Sequence, residues 1–190
     1  SSDLGPLLRR HPAPARAPVQ ESRAPAGSRV YAIGDIHGRF DLLQNLRSRI
    51  QDDAASFQGT RKVLVYLGDY VDRGQQNREV IDLLIERPLA GFEEVHLRGN
   101  HEQALLDFRD DLAAGIAWLQ FGGAMTLRSY GVIVPPGDVS GGRLAQAQVA
   151  FRRNLPAKHL TFLQALPRSH AEGDYLFVHA GIRQIGRAHV

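Results

Sequence analysis

An α/β fold is predicted by three features: short apolar runs that stop at polar, glycine-flanked turns, helical patterns after those turns, and threefold repetition of that order. The first run, Val30-Tyr31-Ala32-Ile33, ends in Gly34-Asp35-Ile36-His37-Gly38. Phe40, Leu43, Leu46 and Ile50 then recur at helical spacing. The second run, Val63 to Leu67, ends in Gly68-Asp69-Tyr70-Val71-Asp72-Arg73-Gly74. Its helix carries Val80, Ile81, Leu84 and Ile85 and is stopped by Pro88. The third run, Glu94 to Leu97, ends in Arg98-Gly99-Asn100-His101-Glu102, and Ala104, Leu105 and Phe108 mark the helix behind it. Leu112 to Leu166 reads as mostly helical, broken at Pro135-Pro136-Gly137 and Gly141-Gly142. A last strand, Tyr175 to Val178, runs into His179-Ala180-Gly181.

The chain has 190 residues, enough for one domain with a real core. It has no cysteine, which excludes disulfides, a thiol nucleophile and thiolate-bound zinc or iron–sulfur clusters. The formal charge is +3, and the whole excess lies in residues 1–29, where five arginines face only Asp3 and Glu21. The body is therefore neutral, with no aromatic–basic interleaving, so no nucleic-acid partner is expected. Five of the ten prolines also lie in residues 1–29, which are expected to be a disordered Pro/Ala/Arg-rich tail. No apolar run approaches a membrane span, so a soluble, cytoplasmic protein without a membrane partner is expected.

Chemistry collects where the strands end, because the turns there converge on one crevice. These ends carry Asp35 and His37, Asp69 and Asp72, Asn100 and His101, and His179. Each singly is explained as a turn or a helix N-cap. Four in order, each closing an apolar strand, are not. Oxygen and imidazole donors without sulfur suit Mn, Fe, Zn or Mg. In Asp35-Ile36-His37, the i, i+2 spacing puts two donors on one side of an extended segment. A carboxylate from the neighbouring strand, Asp69, could bridge two ions about 3.5–4 Å apart, as in two-metal phosphoester chemistry.

The series from Gly34 to Gly38, Gly68 to Gly74, Gly99 to Glu102 and His179 to Gly181 resembles the calcineurin-like metallophosphoesterases. Within them it is most similar to the phosphoprotein phosphatase branch in its bacterial serine/threonine form, on the strength of Asp72-Arg73-Gly74 and Asn100-His101-Glu102. The resemblance runs from about Val30 to Arg183. It implies an α/β/β/α sandwich, with Asp35 and His37 on a first metal, Asp69 bridging, and Asn100 and His179 on a second. It further implies His101 as general acid, Asp72 orienting its ring and Arg73 gripping phosphoryl oxygens. Two divalent ions, manganese before Fe, Zn or Mg, would be the cofactors. The implied reaction is hydrolysis of phosphoserine and phosphothreonine in proteins, by in-line attack of a hydroxide bridging the metals. The substrate partner is thus a phosphoprotein or a phosphorylated small molecule. Dinucleoside polyphosphate hydrolysis uses the same metal core and stands as the alternative. A non-catalytic binding module is the alternative from another class, and Asp72, Arg73 and His101 speak against it.

The resemblance also implies a further metal-binding histidine, tens of residues beyond His179-Ala180-Gly181. The sequence given stops at Val190, and His189 follows His179 too closely to fill that place. Residues 185–190 match a reading frame of a sequencing adapter and are expected to be non-native, leaving a domain over 30–184 that is truncated at its C-terminus. A weak second metal site and low stability are the expected consequences. His96, His11 and His159 are read as structural or surface residues, Arg98 as a pin for its turn, Gly122-Gly123 as a helix break, and Trp118 and Phe121 as core or groove wall.

Overall fold

The computed structural model describes residues 21–135 and 141–181. Three strands, β1 (Ser28–Ile33), β2 (Arg61–Tyr66) and β3 (Glu93–His96), form a parallel sheet in the order β1-β2-β3. Helix α1 (Phe40–Ala55) connects the first two and α2 (Asn77–Glu86) the second two. Val30 sits opposite Val63 and Val65 opposite Val95, so the three strands point the same way and end on one edge. A helical region follows: α3 (Asn100–Asp110), α4 (Ala114–Trp118), a π-turn over Leu119–Gly123, α5 (Ala124–Ser129), α6 (Gly141–Asn154) and α7 (Ala157–Ala165). Strands β4 (Ser169–Glu172) and β5 (Tyr175–Val178) close the described chain as an antiparallel pair.

The central strand explains the layering. Val63 and Val65 point to one face of β2, Leu64 and Tyr66 to the other, and all four are fully buried. A strand covered on both sides reads as a continuous apolar run, which is why Val63 to Leu67 lacks alternation. On the Leu64 and Tyr66 side lies the main core, which includes Leu43 and Ile50 of α1, Val80 and Leu84 of α2, and Leu105 and Phe108 of α3. On the other side, Val63, Val65 and Leu97 form a smaller cluster against which Phe177 of β5 packs.

Three details depart from the sequence expectation. In α1, Leu46 is not on the buried stripe. Leu43, Arg47, Ile50 and Ala54 are buried instead, and Leu46 is 39% exposed. A buried arginine is tolerated there because Arg47 donates to the Arg87 carbonyl and lies 3.4 Å from the Glu94 carboxylate. Second, β5 pairs with β4, a strand the sequence does not mark because its Ser169-His170 start hides it from an apolar-run criterion. Third, residues 21–27, counted by the sequence in the unstructured tail, lie against the β4–β5 turn. The Arg23 N–H donates to Asp174 Oδ2, and the Asp174 N–H donates back to the Arg23 carbonyl, both at 3.0 Å. Tyr175 anchors the same segment through the Ser22 carbonyl. Residues 1–20, the Pro136-Gly137 part of the expected loop, and 182–190 with His189 and the adapter-like segment lie outside the described residues. Among the described residues no helix is long and apolar enough to cross a membrane.

Candidate functional site

The parallel sheet delivers three loops to one edge, and the β5 end meets them there. Asp35 and His37 lie between β1 and α1, Asp69, Asp72 and Arg73 between β2 and α2, and Asn100 and His101 in the first turn of α3. His179 follows β5 directly. The loops are held tightly together. The Ile36 and His37 N–H groups both donate to the Asp69 carbonyl, at 3.0 and 2.9 Å. Gly68 adopts φ +108, and a Cβ there would come within 2.5 Å of the Gly99 nitrogen, so the second and third loops meet only because both positions are glycine. His37, Asp69, Asp72 and Arg73 all take positive φ, at 45, 55, 74 and 64 degrees. These are the only non-glycine residues with positive φ among those described, and all four are predicted site residues. Such conformations cost about 1–3 kcal/mol each and gather where surrounding contacts impose them.

Asp69 is the hub. Its Oδ2 lies 3.8 Å from His37 Nε2 and 3.8 Å from His101 Nε2, and its Oδ1 lies 3.3 Å from His179 Nε2. Asp35 Oδ2 is 3.7 Å from His37 Nε2, and Asn100 Oδ1 is 2.9 Å from His179 Nε2. Two sets of ligand atoms, His37–Asp69–His101 and Asp35–Asp69–His179, each fall within 4.8 Å of one another, sharing Asp69. All eight residues singled out by the sequence therefore converge. The grouping differs from the expected one in two ways: Asp35 sits with His179 as well as beside His37, and His101, expected as the general acid rather than a ligand, falls within one of the groups.

The imidazoles are prepared for a metal. His37 Nδ1 faces the Val71 carbonyl at 2.8 Å, and a carbonyl only accepts, so Nδ1 carries the proton. His37 Nε2, left with its lone pair, is buried with no hydrogen-bond partner and is directed at Asp35 and Asp69. His179 Nδ1 is fixed in the same way on the Leu67 carbonyl at 3.0 Å. Backbone carbonyls that set the tautomer from behind are the usual outer support of a metal-binding histidine. An orphaned, buried imidazole nitrogen aimed at two carboxylates is costly without a cation and explained by one. The residues present fit a metal centre.

His101 is built differently. Its Nδ1 lies 2.6 Å from Asp72 Oδ2, and its ring is 3% exposed. The hydrogen bond to Asp72 raises the imidazole above its ordinary value, burial opposing it. Asp72 is itself anchored: Trp118 Nε1 donates to Oδ2 at 2.8 Å and Thr126 Oγ1 to Oδ1 at 2.5 Å. Arg73 Nη2 lies 3.5 Å from His101 Nε2. The kink at Gly122, with φ +109, brings its carbonyl to the Arg73 N–H. Trp118 and Thr126 were not legible as site residues, because nothing near them in sequence marks a carboxylate partner.

Glu102 completes the frame. Its Oε2 accepts from the Asp69 and Gly99 N–H groups at 2.8 and 2.9 Å, and its Oε1 from Tyr70 and Val71 at 2.7 and 3.3 Å. The Gly99 bond is the reach-back half of a capping box at the start of α3. Burial pushes the Glu102 carboxyl up to about 7, against the pull of the backbone donors. This side chain spans the second and third loops and holds the backbone of Asp69 in its left-handed conformation.

With this geometry established, the comparisons with known proteins are decisive at the family level. The model of the family described as calcineurin-like phosphoesterase matches residues 28–189. The chain belongs to that family. Calcineurin-like phosphoesterases are metal-dependent hydrolases of phosphoesters, and the two ligand groups around Asp69 are where this member could hold its ions. Serine/threonine-protein phosphatase 1 of Salmonella typhimurium is 35% identical over 94 residues, 50% of this chain and 38% of that protein. Serine/threonine-protein phosphatase 2 of Escherichia coli is 33% identical over the same shares. The chain thus spans well under half the length of these relatives. Among solved structures, a mutant of a cold-active protein tyrosine phosphatase superposes with a TM-score of 0.51 at 22% identity, over 83% of this chain and 44% of that one, which shows the shared fold.

The remaining candidates fall outside the site. His96 stacks on Tyr66, and burial, with Arg47 adding to it, pushes its imidazole down to about 4. His159 is fully buried between Tyr130 Oη and Asp82 Oδ1, 2.9 Å from each. Arg98 pins α7 through the Leu163 and Gln164 carbonyls. Trp118 is core, whereas Phe121 is 63% exposed and packs in no core.

Proposed function

We propose that the chain carries the catalytic centre of a phosphomonoesterase that releases phosphate from phosphoserine and phosphothreonine in proteins. The observation that carries this reading is Asp69, shared by two ligand groups, one of which also contains the Asp72-bound His101. Asp35, His37 and Asp69 would hold one divalent ion, and Asp69, Asn100 and His179 the other, with manganese the first candidate for an oxygen and nitrogen donor set. Ions held there supply the acidity that ionises a water at neutral pH and positive charge to offset the phosphoryl oxygens.

The chain's own residues do the rest. Asp72 accepts the Nδ1 proton of His101 and so keeps the ring turned with Nε2 toward the centre. His101, protonated at Nε2, gives that proton to the departing serine or threonine oxygen, which would otherwise leave as a poor alkoxide. Arg73, 3.5 Å from that nitrogen, presents a planar guanidinium that reads two phosphoryl oxygens at once. No side chain is needed as a covalent nucleophile.

The two bacterial relatives named as serine/threonine-protein phosphatases support the protein substrate. The test is a comparison of phosphoserine peptide with diadenosine tetraphosphate under added manganese. A peptide preference of a few tens-fold in kcat/KM, about 2 kcal/mol of transition-state binding, supports the reading. The opposite preference moves the chain to dinucleoside polyphosphate hydrolysis on the same centre.

A further inference from the structure

Two clefts flank the metal-binding residues, and they differ in chemistry. One, of about 400 Å³, is bounded by Ile33, Leu42, Leu43 and Leu46 and by Arg39, whose guanidinium is bound by Asp41 in a two-pronged pair. The other, of about 530 Å³, opens beside Asn100 and His179 and is lined by Arg98, Gln103, Arg168 and Ser169. No carboxylate lines the second cleft among the described residues.

Several guanidinium groups of the chain are matched by carboxylates. Arg29 pairs with Asp53, Arg47 with Glu94, and Arg61 with Glu93 and Glu172. Arg98 instead donates to neutral acceptors only: Gln103 Oε1 at 3.2 Å and the Leu163 and Gln164 carbonyls at 3.3 and 2.6 Å. These bonds fix the group in place without cancelling its charge, and its Nε is buried with no acceptor. Arg168 is exposed and has no carboxylate partner among the described residues. Two uncancelled guanidinium groups on a concave wall concentrate positive potential in the cleft. A volume of this size holds more than a single phosphate.

We propose that this cleft is a second anion subsite, which binds a negatively charged group of the substrate adjacent to the phosphoryl being hydrolysed. The inference rests on the phosphoesterase reading and adds orientation to it. The substrate lies across the centre with its anionic arm over Arg98 and Arg168 and its apolar arm toward Leu42 and Leu46. Anionic oxygens are the shared chemistry, supplied by an acidic side chain flanking a phosphoserine or by a further phosphoryl group in a polyphosphate chain.

Arg168→Gln is the discriminating variant, because Arg168 is exposed and holds no structural bond among the described residues. The full chain is assayed with manganese on a phosphoserine peptide flanked by aspartates, on its asparagine-flanked counterpart, and on diadenosine tetraphosphate. The wild-type protein should favour the acidic over the neutral peptide, and Arg168→Gln should shrink that ratio of kcat/KM by about 2- to 5-fold, the range for an exposed charge pair. Loss confined to diadenosine tetraphosphate supports the subsite with a phosphoryl as its second anion. Unchanged ratios for all substrates overturn it. If the wild-type protein hydrolyses none of the three, the phosphoesterase reading fails separately. Equilibrium binding of tripolyphosphate then decides the subsite: weaker binding by Arg168→Gln supports it, and equal binding overturns it.

Discussion

His101 Nδ1 and Asp72 Oδ2 lie 2.6 Å apart, and the same carboxylate is gripped from behind by Trp118 and Thr126. Three donors on one buried aspartate leave it no freedom to turn, so the imidazole it holds is fixed as well. The hydrogen bond to Asp72 is also the largest cause of the raised His101 value. A general acid must be protonated, so activity is expected to fall as pH rises through that value. Asp72→Asn keeps an acceptor for the ring but removes the negative charge. The alkaline fall in kcat/KM should then move to lower pH, with a rate loss of roughly 10- to 1,000-fold. A pH–rate profile of the variant that superposes on the wild type would remove Asp72 from the mechanism.

Glu102 makes a prediction of a different kind, because it touches backbone and no reacting atom. Glu102→Gln replaces one carboxylate oxygen with an amide NH2, which faces two buried N–H donors and cannot accept from them. Each donor left unsatisfied costs about 1–3 kcal/mol, so a loss of roughly 2–4 kcal/mol is expected in urea unfolding. Because Asp69 is one of the four donors' residues, manganese affinity should weaken too. Unchanged stability and unchanged metal affinity together would contradict the clamp.

Arg73 is expected to act on the phosphoryl oxygens rather than on folding. Arg73→Lys keeps the charge and loses the planar fork, so kcat/KM should drop by about 10- to 100-fold on a phosphopeptide while the unfolding midpoint stays in place. A drop in midpoint without a kinetic effect would assign Arg73 to structure.

Much of the arrangement was legible because chemistry and turn signals coincide. Asp35, His37, Asp69, Asp72, Asn100, His101 and His179 each close a recognisable apolar strand, and the parallel sheet gathers them at one edge. The helices were legible by period, with one slip at Leu46. An apolar pattern has no means of ranking Arg47 above leucine, since that depends on Glu94 arriving from β3. Thr126 and Trp118 were hidden for the same reason. They reach Asp72 from 54 and 46 residues away in sequence, through a kink at Gly122. The β4 strand was hidden because its pairing with β5, not its own composition, makes it a strand.

His96 links stability to pH. Its folded value is pushed down to about 4, below the ordinary 6.5, so the unfolded chain takes up the proton first as pH falls. Its contribution is therefore intact above about pH 6.5 and is lost as pH falls toward 4. The loss is on the order of 1–3 kcal/mol. Urea unfolding at pH 7.5 and pH 4.5 checks it: His96→Phe should lose less stability between the two than the wild type. An equal loss in both would place the acid sensitivity elsewhere.

Asp69 is proposed to hold metal and His101 to move a proton, and one paired measurement separates those roles. Metal content and phosphopeptide hydrolysis are determined for the full chain, Asp69→Asn and His101→Asn after incubation with manganese. Asp69→Asn should lose both bound metal and activity. His101→Asn should keep its metal and lose about 100-fold or more in kcat. Full activity in His101→Asn, or wild-type metal content in Asp69→Asn, would contradict these roles.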